Sequence, residues 1–113
     1  MIFCQQITDF SPISKLERLE ILDFSDTNID DISFLEKNKN IKELGLIFCQ
    51  QIKDFSPISK LERLEILYAN DTNISDLSFL EKNKNIKKLY LGDCENINKN
   101  DKIFSRKDIE INI

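Results

Sequence analysis

Leu19-Glu20-Ile21-Leu22-Asp23-Phe24-Ser25-Asp26-Thr27-Asn28-Ile29 is the stretch on which the fold turns. Its apolar residues stand at Leu19, Leu22 and Phe24, followed by Thr27 and a closing Ile29. The same order returns at Ile41-Leu44-Leu46-Cys49, Leu64-Leu67-Ala69-Thr72 and Ile86-Leu89-Leu91-Cys94, closed by Ile52, Ile74 and Ile97. Successive instances lie 22, 23 and 22 residues apart. A period of 45 lies over them: residues 2–46 align with 47–91 without a gap and differ at eight positions. Residues 2–7, 9–22 and 33–42 recur unchanged as 47–52, 54–67 and 78–87. A unit this short cannot bury its own apolar residues, so stacked neighbours must supply the rest of the core.

The pattern resembles the leucine-rich-repeat family, whose unit reads LxxLxLxx(N/C/T)xL. The 22-residue unit and the string Ile-x-Asp-Phe-Ser-Pro-Ile, at 7–13 and 52–58, look most like its bacterial internalin and phosphatase-regulator subclass. The units that carry Cys49 and Cys94 look like the cysteine-containing variant. The resemblance covers residues 1–97 and departs at the asparagine position, where Thr27, Cys49, Thr72 and Cys94 stand. It implies an α/β repeat solenoid: a right-handed superhelix with a short parallel sheet on the concave face and short helices or 3-10 turns on the convex face. The expected organisation is one domain, 1–113, made of a partial coil 1–6, coils 7–28, 29–51, 52–73 and 74–96, and a C-terminal capping segment 97–113. The family's general role is protein–protein interaction, which makes this chain a binding module rather than an enzyme and names no partner.

Within each coil, the alternation around Leu22-x-Phe24 predicts a short strand. An Asp-x-Ser step follows at Asp9/Ser11, Asp31/Ser33, Asp54/Ser56 and Asp76/Ser78. Ser is a good helix N-cap and proline is tolerated at the first helical position, where Pro12 and Pro57 stand. A convex turn is expected there, with Ile13, Leu16, Ile58 and Leu61, or Phe34, Leu35, Phe79 and Leu80, facing inward. Residues 36–40 and 81–85, Glu-Lys-Asn-Lys-Asn in both copies, read as solvated turns. Met1-Ile2-Phe3-Cys4 matches Leu46-Ile47-Phe48-Cys49, so the first coil is partial and almost identical to an internal one. Terminal repeats normally carry a polar outer face. An apolar N-terminal edge is therefore expected, and with it end-to-end self-association into a homo-oligomer. Ile109-Glu110-Ile111-Asn112-Ile113 alternates and predicts a last strand.

Composition narrows the function. The 113 residues are 41% hydrophobic and 32% charged, a balance that reads as soluble and folded. The net charge is −4 with both signs interspersed, so neither nucleic acid nor membrane is an expected partner. The first residues lack the regions of a signal peptide and no apolar run approaches a membrane span, which makes the cytoplasm the expected compartment. The chain has no histidine, the commonest general base and metal ligand, and its two glycines cannot build a phosphate-cradling loop. Cys4, Cys49 and Cys94 are each 45 residues apart, hence two coils or roughly 9–10 Å, beyond the reach of about 7 Å for a disulfide. They read as buried structural thiols whose S–H groups replace part of an asparagine ladder. The column Asp9, Asp31, Asp54, Asp76 offers one carboxylate per coil, far short of a calcium shell, and reads as turn caps. No catalytic, cofactor or metal residue is expected.

The variable positions that flank the strand apolars line the concave face. They predict a partner-binding surface of Ile21, Asp23, Ile47, Phe48, Ile66, Tyr68, Asn70, Lys88, Tyr90 and Asp93, because exposed aromatics beside aliphatics concentrate interface energy. The duplication agrees. The copies differ at Thr8/Lys53, Asp23/Tyr68, Phe24/Ala69, Ser25/Asn70, Asp30/Ser75, Ile32/Leu77, Glu43/Lys88 and Gly45/Tyr90. Four of these eight fall on the ten concave-face positions of each 45-residue copy, about twice an even scatter. Phe24/Ala69 is a core change, and Tyr68 is expected to lean into the space it leaves.

Overall fold

The computed structural model describes residues 2–3, 13, 15–98 and 100–113. Six parallel strands stack in chain order: β1 (Ile2–Phe3), β2 (Ile21–Asp23), β3 (Glu43–Gly45), β4 (Ile66–Tyr68), β5 (Lys88–Tyr90) and β6 (Glu110–Asn112). Between β2 and β6 each step to the next strand crosses a 3-10 turn on the opposite side, at Ser33–Lys37, Ser56–Lys60, Ser78–Lys82 and Lys102–Ser105. Parallel crossovers of this kind wind right-handed, and the result is a solenoid. Of the short helices or 3-10 turns expected on the convex side, the described residues form 3-10 turns.

Each strand keeps only three ladder residues from β2 onward, and the middle one points into the core. Leu22, Leu44, Leu67 and Leu89 are fully buried and stand in register, while their strand neighbours look out over the sheet. The ladder runs on past the strands: Phe24 N–H donates to Gly45 O at 2.8 Å, Leu46 N–H to Tyr68 O at 2.7 Å and Ala69 N–H to Tyr90 O at 2.9 Å. Ile29, Ile41, Leu46, Ile52, Leu64, Ile74, Ile86 and Leu91 close the core between sheet and convex turns.

On the convex side the aspartates, not the serines, cap the turns. Ser33, Ser56 and Ser78 are the first turn residues, and their N–H groups donate to Asp31, Asp54 and Asp76 Oδ1 at 2.9 Å. The expected inward residues are buried at Ile13, Leu35, Ile58, Leu61 and Leu80 and half-buried at Phe34 and Phe79. Leu16 departs, at 42% exposed against none for its counterpart Leu61. Leu61 lies between coils on both sides; among the described residues Leu16 is covered from one side only.

The runs 36–40 and 81–85 are not wholly solvated. Asn38 and Asn83 are fully buried, and each ties its coil to the one before. Asn38 Nδ2 donates to Ile13 O at 2.9 Å and Leu16 O at 3.2 Å, and Asn83 Nδ2 to Ile58 O at 3.0 Å and Leu61 O at 2.9 Å. Each of those carbonyls also accepts a backbone N–H within its own coil, so the asparagine amide fills its second acceptor site and links neighbouring coils. Exposed Asn40 and Asn85 repeat the bond to Glu17 O and Glu62 O.

At the family's asparagine position, sulfur and hydroxyl do the bonding. Cys49 Sγ donates to Phe24 O at 3.1 Å and Cys94 Sγ to Ala69 O at 3.0 Å, and Thr27 and Thr72 hydroxyls lie 3.8 and 3.7 Å from those thiols. Both cysteines are free; Cys49 is buried and Cys94 partly so, and burial pushes the Cys49 thiol up in spite of the bond to Thr27. Cys4 and the Asp9-x-Ser11-Pro12 cap lie outside the described residues.

The two ends behave differently. The alternating tail forms β6 as expected, after its own 3-10 turn capped by the Asp101 carboxylate. At the other end the 45-residue period would set Ile2 opposite Ser25, like Ile47, but β1 pairs Ile2 with Leu22 and Phe3 with Asp23.

Candidate functional site

The concave face consists of the outward strand residues and the turn that follows. In register across β2 to β6 run two columns: Ile21, Glu43, Ile66, Lys88, Glu110, then Asp23, Gly45, Tyr68, Tyr90, Asn112. Beyond them lie Ser25, Ile47, Asn70 and Gly92, and at the corner Asp26, Phe48, Asp71 and Asp93. These columns hold six carboxylates and one ammonium, a balance of −5, where the whole chain carries −4. The negative charge of the molecule is thus gathered on this face. The adjoining row, Glu20, Lys42, Glu65, Lys87, is balanced and pairs exposed Lys42 with Glu20 at 3.7 Å and Lys87 with Glu65 at 3.5 Å.

Tyr68 and Tyr90 stack face to face, with ring centroids 4.8 Å apart and planes 6° from parallel. Both rings are half-buried. Burial, and after it the Glu43 carboxylate, push the Tyr68 phenol up, with Lys88 opposing. The stack occupies the concave side, so Tyr68 does not lean into the core beside Ala69: neighbouring residues of a strand point to opposite faces. Phe24, the counterpart of Ala69, is fully buried with its ring edge-on to Phe34 at 5.5 Å.

One strand earlier the same column is hollow. Gly45 leaves a cavity of about 260 Å³ walled by Ile21, Asp23, Glu43, Ile47 and Tyr68. The Asp23 carboxylate leans over the glycine: a Cβ there would stand 2.5 Å from Asp23 Oδ1, so a larger residue would push that side chain aside. That oxygen accepts from Ser25 N–H at 2.9 Å, and Ser25 Oγ accepts from Ile47 N–H at 3.1 Å, so the wall is braced. Asn70 leans over Gly92 in the same manner, its Nδ2 2.9 Å from where a Cβ would be.

At the corner, Asp26, Phe48, Asp71 and Asp93 all have left-handed backbone, with φ of 62°, 63°, 56° and 60°. Aspartate visits this region readily; a phenylalanine there is strained. Phe48 is also half exposed.

Of the residues predicted from sequence, Ile21, Asp23, Ile47 and Tyr68 meet at the hollow, and Tyr90 joins through the stack. Ile66 lies between Glu43 and Lys88 in register. Asn70, Phe48 and Asp93 form the border. Glu43, Gly45 and Ser25 complete the hollow and were not singled out by the sequence reading; a glycine at a strand-end position, with acids on both sides, was the available signal. Among the described residues no three His, Cys, Asp or Glu side chains gather as a metal site would need, and no helix is long and apolar enough to cross a membrane.

Comparison with known proteins agrees with this geometry. A family model described as Leucine Rich repeats (2 copies) matches residues 17–60. The structure superposes on internalin C2 of Listeria monocytogenes with TM-score 0.76 at 30% identity, over 96% of this chain and 46% of that one. It superposes on an internalin, InlF, of the same organism with TM-score 0.69 at 26% identity, over 74% and 24% of the two chains. A leucine-rich-repeat protein of Leptospira interrogans gives TM-score 0.73 at 22% identity, over 91% and 27%. The chain thus spans between a quarter and a half of these proteins' lengths. A search of curated proteins finds no match. The register of the stacked strands, the repeated core and these similarities make the chain a leucine-rich-repeat protein.

Proposed function

We propose that the chain binds another protein on its concave face, through Ile21, Asp23, Ile47, Phe48, Ile66, Tyr68, Asn70, Lys88, Tyr90 and Asp93. The Tyr68–Tyr90 stack carries this reading. Two rigid aromatics stand half exposed on a sheet face, with an aliphatic in each neighbouring strand column, in a fold that is a typical protein-binding module. Aromatic side chains supply large contact area at low entropy cost, and interfaces concentrate their energy on such residues. The strained, exposed Phe48 extends the apolar rim. The free thiols of Cys49 and Cys94 suit a reducing compartment, and the cytoplasm is part of the proposal.

The test uses immobilised wild type beside the double variant Tyr68→Asp, Tyr90→Gly in lysates of the source organism or its host. Those replacements are what residues 23 and 45 already are in the other copy, so the fold is expected to hold, with circular dichroism as the check. A protein retained by wild type and lost by the variant supports concave-face binding. Equal retention by both baits would sink it.

A second reading is assembly: β1 and β6 are outermost in the sheet and pair on one side each, so a second copy could continue the stack. Sedimentation over a range of concentrations separates the two readings. Growth in size with the tyrosine variant unaffected favours assembly; a constant monomer removes it.

A further inference from the structure

We infer that the hollow over Gly45 is a socket for an arginine side chain of the partner protein; this rests on the concave-face reading above. The socket lies between two strands. On one side stands Asp23, held by its bond from Ser25 N–H. On the other stands Tyr68, in register with Gly45, with one ring face covered by Tyr90. The opposite ring face borders the cavity beside Gly45, over which the Asp23 carboxylate leans. Glu43, two residues back along the same strand, adds a second carboxylate, and it forms no ion pair among the described residues. Ile21 and Ile47 supply apolar walls.

A flat aromatic face, two carboxylates and a cavity of about 260 Å³ match the parts of an arginine in turn. Its guanidinium is planar, stacks on aromatic rings and donates N–H bonds to carboxylates from a rigid fork; its methylenes lie against aliphatic walls. A lysine ammonium is a compact, strongly hydrated point charge and uses the flat wall less well. Neutral or acidic anchors meet only repulsion or unpaired acids. The field points the same way, because the concave columns carry −5 and would draw a basic segment to this face before contact.

The second copy shows what closes the socket. At the equivalent position Tyr90 fills the space against Tyr68, and Lys88 replaces Glu43. One copy therefore presents a cation socket and the other a packed aromatic step.

The experiment is amide chemical-shift titration of the full chain with three blocked tripeptides, Gly-Arg-Gly, Gly-Lys-Gly and Gly-citrulline-Gly. Citrulline keeps the shape of arginine and loses its charge. Arginine is expected to give saturable shifts centred on Gly45, Ile47 and Tyr68. Lysine and citrulline should bind at least about tenfold more weakly, as loss of one charge-assisted stacked contact implies. Glu43→Lys, the residue the other copy carries, should weaken the arginine response by a similar factor without altering circular dichroism. Equal shifts for arginine and citrulline, or arginine shifts centred away from Gly45, would overturn the socket. So would an arginine response unchanged in Glu43→Lys. Any of these leaves the tyrosine-dependent capture experiment standing on its own, so the two failures are distinguishable.

Discussion

Residues 23 and 45 hold Asp and Gly; residues 68 and 90, 45 positions on, hold Tyr and Tyr. The first pair makes a braced hollow and the second a closed stack, on the same backbone and above the same row of buried leucines. The convex turns below do not change: Asp31/Ser33 and Asp76/Ser78, or Asn38 and Asn83, make the same bonds at nearly the same lengths. The scaffold is held by bonds that run from coil to coil. The sheet face is free of that duty, and its surface is rewritten by a few substitutions.

Phe24 and Ala69 test whether the interiors of the two copies are as interchangeable as their convex sides. Both are fully buried, and both carbonyls accept a cysteine S–H. If the slots were equivalent, Phe24→Ala would be nearly silent, since the chain already tolerates alanine there. We expect a loss of about 3–5 kcal/mol instead, the usual cost of truncating a buried phenylalanine, because its contact with Phe34 is specific to the first copy. Urea unfolding followed by circular dichroism reads this as a lower midpoint at unchanged slope. A cost below about 1 kcal/mol would mean that the first copy can collapse around the smaller residue.

A smaller effect sharpens the contrast at the corner. Three of the four left-handed positions are aspartates, and Phe48 is the exception. Phe48→Asp should stabilise the chain by about 1 kcal/mol, by relief of backbone strain, while it weakens capture of a concave-face partner. That pairing of gain and loss is the usual mark of a residue kept for binding. A variant that is less stable than wild type would show that the exposed ring makes a contact worth more than the strain.

The fold was legible because the periodicity is strict. Leu22, Leu44, Leu67 and Leu89 are buried in register as their spacing predicts, and Thr27, Cys49, Thr72 and Cys94 bond between coils in place of asparagine. The misses have separate physical origins. Asn38 and Asn83 sit in polar runs, and nothing in composition distinguishes an asparagine that caps buried carbonyls from one in solvent. The stack and the hollow depend on which side chain leans toward which neighbour, a relation between strands 22 or 23 residues apart that no single unit contains. The register of β1 departs from the 45-residue period, which would set Ile2 opposite Ser25 rather than Leu22.

The smallest effect concerns the caps, where the two copies should agree and almost do. The Ser33 and Ser78 amides, and after them the hydroxyls, hold Asp31 and Asp76 below the ordinary carboxylate range. A carboxylate whose folded pKa is depressed stabilises the fold above its unfolded value, about 3.9, and loses that contribution as pH falls through the lower folded value. Asp76→Asn keeps an oxygen for the Ser78 amide and removes the charge. Its deficit against wild type should therefore be constant near neutrality and shrink as pH drops below about 4, which a series of urea midpoints against pH measures. Asp31→Asn should show a slightly smaller deficit, because the Asp54 carboxylate on the next coil opposes the depression of Asp31. All three side chains are solvated, so salt screens that repulsion, and the two variants should converge as ionic strength rises. A gap between them that ignores salt would mean that the caps differ in hydrogen-bond geometry rather than in their charged neighbours.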